Sequence, residues 1–221
     1  LNIINENLKQ DLEPDEVNFL NSYKVKPLIE ANLYDNAFDL SNELLIQDSL
    51  QTDLRINTLL NRALIYEIKG EFFKSKADLD QLDSIFEKYE SQKDEDYGEY
   101  PYRKASLYRV NNKLDSARVF VKQSITFSEE NNYKATAGVA YAVLGFLTDD
   151  IEKSKTLFEK SLKSYKTIND QSGVMMMYAN LALQELNRND RENALKYTDT
   201  MLLTSRNIKD SKPLYILYEL R

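Results

Sequence analysis

Apolar positions along the chain recur with the period of an α-helix, and short polar breaks separate the apolar-periodic segments. In Leu181–Leu202, for example, two such segments flank the polar break Asn187–Asp190. Each break contains Gly, Asn or Asp, the residues that end one helix and cap the next. The pattern predicts a chain of helical hairpins, each made of a helix, a tight turn and an antiparallel helix.

A pair of small residues brackets each of four such breaks, and the two members of every pair lie twelve positions apart. One member falls in the helix before the break and the other in the helix after it. Helix axes approach to about 8–10 Å only where both helices present small side chains, so we expect all of these positions to be buried. The pairs are Ala63 with Ser75, Ala105 with Ala117, Ala142 with Ser154, and Ala182 with Ala194.

These pairs, together with the segments Arg62–Phe72, Arg103–Ala117 and Ala179–Gln184, resemble the tetratricopeptide repeat. The resemblance extends from about Thr52 to Arg206. Its repeats are longer than the family's usual length of about 34 residues. Repeats of this greater length resemble those of bacterial regulators and sensor proteins.

The resemblance implies an all-α fold: a right-handed superhelical solenoid of antiparallel helix pairs in a single domain, 1–221. The N-terminal part is expected to be an irregular cap and repeat, because Val25 stands where the family has a small residue and Pro27 follows closely. The C-terminal stretch is interpreted as the first helix of a further repeat that the sequence cuts short. The expected divisions are 1–50 for the cap, 52–93, 99–131, 133–167 and 171–206 for the repeats, and 210–221 for the last helix.

Composition removes several classes of function. The chain has no Cys and no His, which excludes the Ser-His and Cys-His nucleophile arrangements and most zinc sites. A net charge of −7 disfavours a nucleic-acid partner, which needs clustered Lys and Arg. The apolar run Ala137–Leu147 is too short to cross a bilayer. We expect no enzymatic activity, no cofactor, no metal and no membrane insertion by this fragment.

Two short segments resemble known kinds of binding site, one for calcium and one for a protein partner, but each is better explained by the fold. Asp94–Tyr100 begins like a calcium loop but lacks the terminal bidentate Glu, so we interpret it as a solvated loop between repeats. The run Met175, Met176, Met177 could form an adaptable binding surface. Helical geometry instead predicts that Met175 and Met177 lie in the core and that only Met176 faces outward.

The resemblance also implies a binding site, because the first helices of such repeats line a concave groove. The groove positions precede the first small residue of each pair by six and three, and follow it by one, four and five. The groove so predicted is mostly apolar. Among the twenty residues at these positions, those expected to bind a partner are Asn57, Leu60, Leu64, Glu67, Tyr102, Ser106, Arg109, Val139, Val143, Phe146, Met176, Leu183 and Asn187.

One branch of the family binds chaperone C-termini through a clamp of Lys, Asn and Arg, and the corresponding positions here hold Leu60, Tyr102 and Val139 instead. An apolar groove with a few polar residues suits a helix or an extended peptide. The sequence therefore predicts a non-catalytic module that binds a protein or peptide segment, as the sensory or regulatory part of a larger bacterial signalling protein.

Other interpretations stay open from the sequence. The chain could be a structural scaffold or assembly adaptor without signalling. A second copy, or a missing C-terminal part of the same protein, could cover the apolar groove. A phosphatase-like regulator would need a catalytic side chain that the sequence does not show. The compartment is equally open: periplasmic if the fragment belongs to a membrane sensor, and cytoplasmic otherwise.

Overall fold

A computed structural model describes residues 1–88 and 94–205, and over these residues the chain forms eleven helices and no strand. This confirms the all-α prediction. The chain divides into two compact units, unit 1 (Leu1–Leu107) and unit 2 (Tyr108–Arg221). The predicted last helix at 210–221 lies outside the described residues, and the division into repeats of a single domain stays a prediction.

Unit 1 is built from antiparallel helix pairs that share two apolar cores. The second helix packs against the third and the fourth against the fifth, and the fourth also contacts the first pair. One core joins α2, α3 and α4, and the other joins α4, α5 and α6. The helices are α1 (Asn2–Asn7), α2 (Pro14–Glu30), α3 (Tyr34–Leu45), α4 (Thr52–Ile68), α5 (Phe72–Lys88) and α6 (Glu95–Val110), of which α6 belongs to unit 1 as far as Leu107.

Unit 2 repeats the same construction. Its second helix packs against the first and the third, and the third and fourth pack against each other, as do the fourth and fifth. The main core joins α8, α9 and α10, and a smaller one joins α10 and α11. The helices are α7 (Leu114–Glu130), α8 (Lys134–Phe146), α9 (Ile151–Thr167), α10 (Gln171–Asn187) and α11 (Arg191–Ser205).

Most turns between helices use one residue with a left-handed backbone. After α7, Asn132 has φ 60°. Its N–H donates to the Glu129 carbonyl (3.3 Å), and the Tyr133 N–H donates to the Ser128 carbonyl (2.8 Å), so two carbonyls at the helix end gain donors. Asn adopts this conformation more readily than other residues with a side chain, and Gly adopts it freely. The left-handed residues are Asn32, Gly70, Asn112, Asn132, Asn169 and Asn189.

All eight small residues predicted to mark helix crossings are buried, with exposed fractions between 0% and 5%, which confirms the prediction of their burial. In unit 2 the contact between α8 and α9 is close enough for side chains to reach the opposite backbone. Ser154 donates to the Gly145 carbonyl (2.8 Å), and Ser161 donates to the Gly138 carbonyl (2.7 Å).

A buried ion pair connects three helices of unit 1. Arg62 of α4 binds both carboxylate oxygens of Asp78 of α5, at 2.9 and 2.6 Å. Its remaining nitrogen donates to Asn42 Oδ1 of α3 at 2.8 Å. The Asp78 side chain is only 3% exposed, so its charge depends on this guanidinium for compensation.

The interpretation of Asp94–Tyr100 as a loop was wrong, because α6 already begins at Glu95. Asp94 Oδ1 accepts the backbone N–H groups of Asp96 (3.1 Å) and Tyr97 (3.4 Å), which caps the start of the helix. Tyr100 is buried and its ring packs on Phe86, with ring centroids 5.2 Å apart. The acidic segment that resembles a calcium loop is therefore the beginning of α6.

We expect Asn132→Ala to lower the free energy of unfolding by about 1 kcal/mol, because a Cβ without a local hydrogen-bonding group is disfavoured at positive φ. Asn132→Gly should be neutral or slightly stabilising. Thermal and urea unfolding of the two variants measures the difference. Equal stability of the Ala and Gly variants would show that backbone conformation does not select Asn here.

Ala63→Leu is expected to destabilise the chain by about 1–3 kcal/mol, because the added atoms must fit between α4 and α5 at a fully buried position. Ala77→Leu, on the exposed side of α5, adds the same atoms as a control and should change stability little. Urea unfolding compares the two. Equal unfolding midpoints would contradict the crossing as the reason for Ala63.

Candidate protein-binding surfaces

The predicted groove residues of unit 1 differ in how far they reach the surface. Leu60 is 2% exposed and lies in the core shared by α4, α5 and α6. Tyr102 is 8% exposed. Neither side chain offers much area to a partner in this arrangement. The partly exposed members are Asn57, Leu64, Glu67 and Ser106.

Polar side chains link the three helices on this side of unit 1. Asn57 of α4 donates to Asp96 of α6 at 3.4 Å. Ser22 of α2 donates to Asn57 Oδ1 at 3.3 Å and lies 3.2 Å from the Thr58 hydroxyl. Asn61 donates to both oxygens of Asn57, at 3.0 and 3.1 Å. Asn57, predicted as a groove residue, is therefore the junction of a polar network.

A charged group continues this network along α6. The guanidinium of Arg103 is buried, and its Nε donates to Glu99 Oε1 at 2.7 Å. Another of its nitrogens lies 3.7 Å from Glu67 of α4, which in turn accepts from Ser75 of α5 at 3.2 Å. Glu67 is thus held between three helices.

The pKa values of two carboxylates in this network, Asp96 and Glu99, are shifted in opposite directions. Partial burial, then repulsion from Glu99 and Asp94, raise the pKa of Asp96 to about 7, although Asn57 and Lys26 oppose the rise. Burial also acts to raise the pKa of Glu99, but Arg103 and Lys26 outweigh it and lower that pKa below its usual value. Of these two carboxylates, Asp96 is therefore the one whose negative charge is poorly compensated by nearby positive charge.

Sequence reasoning did not assign Asp96 and Arg103 to a functional surface. The i, i+4 spacing of Glu99 and Arg103 was a usable signal, because such pairs meet on one helix face. No comparable signal predicts the contact between Asn57 and Asp96, which depends on how α4 and α6 pack.

In unit 2, we use the name α8–α10 surface for the predicted groove residues of α8 and α10: Val139, Val143, Phe146, Met176, Leu183 and Asn187. Both helices pack against α9 and share one core. Phe146 is 59% exposed, Met176 44% and Leu183 43%, while Val139 and Val143 are partly buried. Met175 and Met177 are buried, which confirms the orientation predicted for the Met run. Asn187 and Arg109 are exposed.

Two buried polar atoms of α10 have no hydrogen-bond partner in the part of the chain that the structure describes. The Asn180 Nδ2 and Gln184 Oε1 atoms of α10 have no hydrogen-bond partner among the described residues, although neither contacts solvent. Gln184 uses its other terminal atom to donate to Ser154 at 2.6 Å. An unsatisfied buried donor or acceptor costs about 1–3 kcal/mol. One helix of unit 2 thus holds an unused donor and an unused acceptor one turn apart.

The two units differ in charge. Residues 1–107 contain 22 acidic and 12 basic side chains, a net charge of −10. Residues 108–221 contain 14 acidic and 17 basic side chains, a net charge of +3. The net charge of the whole chain conceals this asymmetry, and each unit would attract a different kind of partner.

Within the described ranges, no group of three or more Asp and Glu side chains is placed to hold a metal ion. In the same ranges, no helix is both long and apolar enough to cross a membrane.

Solved structures of low sequence similarity share the arrangement of these helices. BtubC (BKLC) from P. vanneervenii superimposes with a TM-score of 0.67 at 14% identity, over 87% of this chain and 81% of that one. TPR-like repeats of a kinesin light chain from Podosopora anserina give 0.55 at 14% identity, over 90% and 100%. The chain has a tetratricopeptide-like repeat fold. This confirms the resemblance seen in the sequence.

A third protein of similar structure is MamA (residue 41 to the end) from Desulfovibrio magneticus RS-1, with a TM-score of 0.52 at 11% identity, over 87% of this chain and 97% of that one. No protein-family model and no curated protein matches the sequence. At these identities the likeness establishes the tetratricopeptide-like fold and leaves function to the surfaces of this chain.

Asp96→Asn should stabilise the chain at pH 8 by about 2 kcal/mol and leave its stability unchanged near pH 4. The folded chain keeps the Asp96 proton up to about pH 7, whereas the unfolded chain loses it near the ordinary value of 3.8. The stability of the unsubstituted chain relative to the variant is therefore greatest below pH 4 and falls as the pH rises through 7.

Urea unfolding across this pH range measures the effect. Asp39→Asn removes an exposed carboxylate of α3 and serves as the control, for which we expect the same difference in stability at pH 4 and pH 8. A stability difference between Asp96→Asn and the unsubstituted chain that does not vary with pH would contradict the raised pKa.

Proposed function

We propose that the chain is a non-catalytic module that binds a peptide or protein segment, as the sensory or regulatory part of a larger bacterial signalling protein. The observation that carries the proposal is the α8–α10 surface, where large apolar side chains stay exposed beside an intact core. Its occupant is a segment of a protein partner.

The energetic argument rests on Phe146, Met176 and Leu183. Each side chain is at least 43% exposed. One edge of the Phe146 ring already packs on Phe158, with ring centroids 5.0 Å apart, so the ring is held in place with its other side free. Burying such side chains contributes roughly 25 cal/mol per Å² of apolar area. An ordered aromatic ring loses little conformational entropy when a partner covers it.

The unpaired polar atoms of α10 add a reason for a peptide as the occupant. Every peptide unit carries one N–H and one C=O, the groups complementary to Gln184 Oε1 and Asn180 Nδ2. Both atoms lie one turn apart on the helix that carries Met176 and Leu183. If both side chains turned outward from their buried positions, a bound backbone would satisfy these two groups.

The regulatory role is supported by the greater length of the repeats, which resemble those of bacterial regulators and sensors. The alternative is a scaffold or assembly adaptor that binds the same kind of segment without signalling. The coding sequence that follows Arg221 distinguishes them: a kinase or DNA-binding domain would support the sensor, and further repeats alone would support the scaffold.

We expect Phe146→Ala combined with Leu183→Ala to abolish binding of peptides that the unsubstituted chain selects from a random-peptide library. Val119→Ala combined with Leu195→Ala is the matched control, because these side chains are also apolar and exposed, 56% and 63%, but lie on α7 and α11.

Far-ultraviolet circular dichroism should show native helix content in both double variants. Fluorescence anisotropy with a selected, labelled peptide measures the affinity. If the Phe146 and Leu183 variant keeps native helix content and unchanged affinity, the α8–α10 surface is not the peptide-binding site.

A further inference from the structure

Two aromatic side chains stand exposed on one face of α2 in unit 1. Phe19 is 49% exposed and Tyr23 is 50% exposed. Their ring centroids lie 4.8 Å apart, because the residues are one helical turn apart. They form a small aromatic platform, which we call the Phe19–Tyr23 face.

Elsewhere in the chain, aromatic rings are commonly paired with a cation of the chain itself. In unit 1, Lys69 lies 5.2 Å from the Phe38 ring centroid, and Lys104 lies 5.3 Å from that of Tyr100. Over the described residues, neither ring of the Phe19–Tyr23 face has such a cation. The favourable position for a positive charge above these rings is therefore unfilled.

The surroundings of Tyr23 are negative. Partial burial, followed by the charges of Asp96, Asp53 and Asp94, raises the pKa of its phenol, so these three carboxylates all act on the ring. Lys26 opposes the charge of Asp96, and it forms no ion pair within 4.0 Å among the described residues. The three carboxylates outnumber it and belong to the unit with a net charge of −10.

The backbone below Tyr23 adds an acceptor. Pro27 lies inside α2, and it has no N–H to donate to the Tyr23 carbonyl one turn earlier. That carbonyl lacks its usual helical donor, so a negative end of a dipole accompanies the carboxylates. Aromatic faces, carboxylates and a carbonyl together favour a cation that can also donate hydrogen bonds.

We propose that the Phe19–Tyr23 face binds a segment of a protein partner that carries Lys or Arg, with the cation over the rings and its charge compensated by Asp53, Asp94 and Asp96. The inference rests on the proposed function, since it names the chemistry of the segment that unit 1 recognises. Arg fits best, because its planar guanidinium stacks on an aromatic ring while its N–H groups donate to carboxylates.

Charge decides between this occupant and a purely apolar one. An apolar segment would cover the rings but would also take water from Asp96, whose charge is already poorly compensated. A basic segment replaces that water with an opposite charge. Its association should also be accelerated by the field of the acidic unit and should weaken as salt rises.

The experiment selects peptides from a random-peptide library on the unsubstituted chain and again on a Tyr23→Ala, Asp96→Asn variant. We expect one selected group to be enriched about threefold or more in Lys and Arg, and its dissociation constant to rise about tenfold in the variant and with added salt. The control, Phe73→Ala with Asp39→Asn, changes a 90% exposed ring and an exposed carboxylate elsewhere in unit 1 and should leave affinity unchanged.

The outcomes separate the inference from the proposed function. The inference is overturned if the selected peptides lack Lys and Arg, or if basic peptides bind the Tyr23→Ala, Asp96→Asn variant with unchanged affinity. Either result leaves the proposed peptide binding intact. A failure to select any peptide overturns both. Light scattering tests a second copy as occupant: a dimer that dissociates in the Tyr23 and Asp96 variant, but not in the control, would overturn the assignment to a separate partner.

Discussion

The fold depends on the close approach of paired helices at small side chains. Where α8 meets α9, the helices come so near that Ser154 and Ser161 bond directly to the opposite backbone. A larger residue at the crossing would separate the helices and remove both hydrogen bonds. The small residues at the other predicted crossing positions are buried as well. Turns with a left-handed Asn or Gly then allow the chain to reverse direction within three residues.

Polar groups also join the helices of unit 1. Arg62 of α4 and Asp78 of α5 form a bidentate ion pair, and Arg103 of α6 joins Glu99 of the same helix and Glu67 of α4. Buried charges stabilise little in themselves but are strongly destabilising when one partner is removed. They therefore favour one relative placement of the helices over others.

The two units offer different chemistry on the same architecture. Unit 1 is strongly acidic, and its polar network ends at the poorly compensated Asp96 beside exposed aromatic rings. Unit 2 is slightly basic and exposes Phe146 and Leu183 over a shared apolar core. Uniform helical repeats can carry such different surfaces because the residues that define the fold lie at the crossings and turns, and leave the outward positions free to vary.

The sequence alone determined the all-α fold, the burial of the eight small residues and the burial of Met175 and Met177, since these follow from local periodicity and side-chain size. The loop predicted at Asp94–Tyr100 was wrong, because an acidic stretch that contains Gly is typical of a loop. In the structure, Asp94 caps a helix there. Only the tertiary structure decided that Leu60 is buried and that Asn57 meets Asp96. Burial and charge compensation at these positions depend on side chains from other helices, and a periodic pattern within one helix does not contain that information.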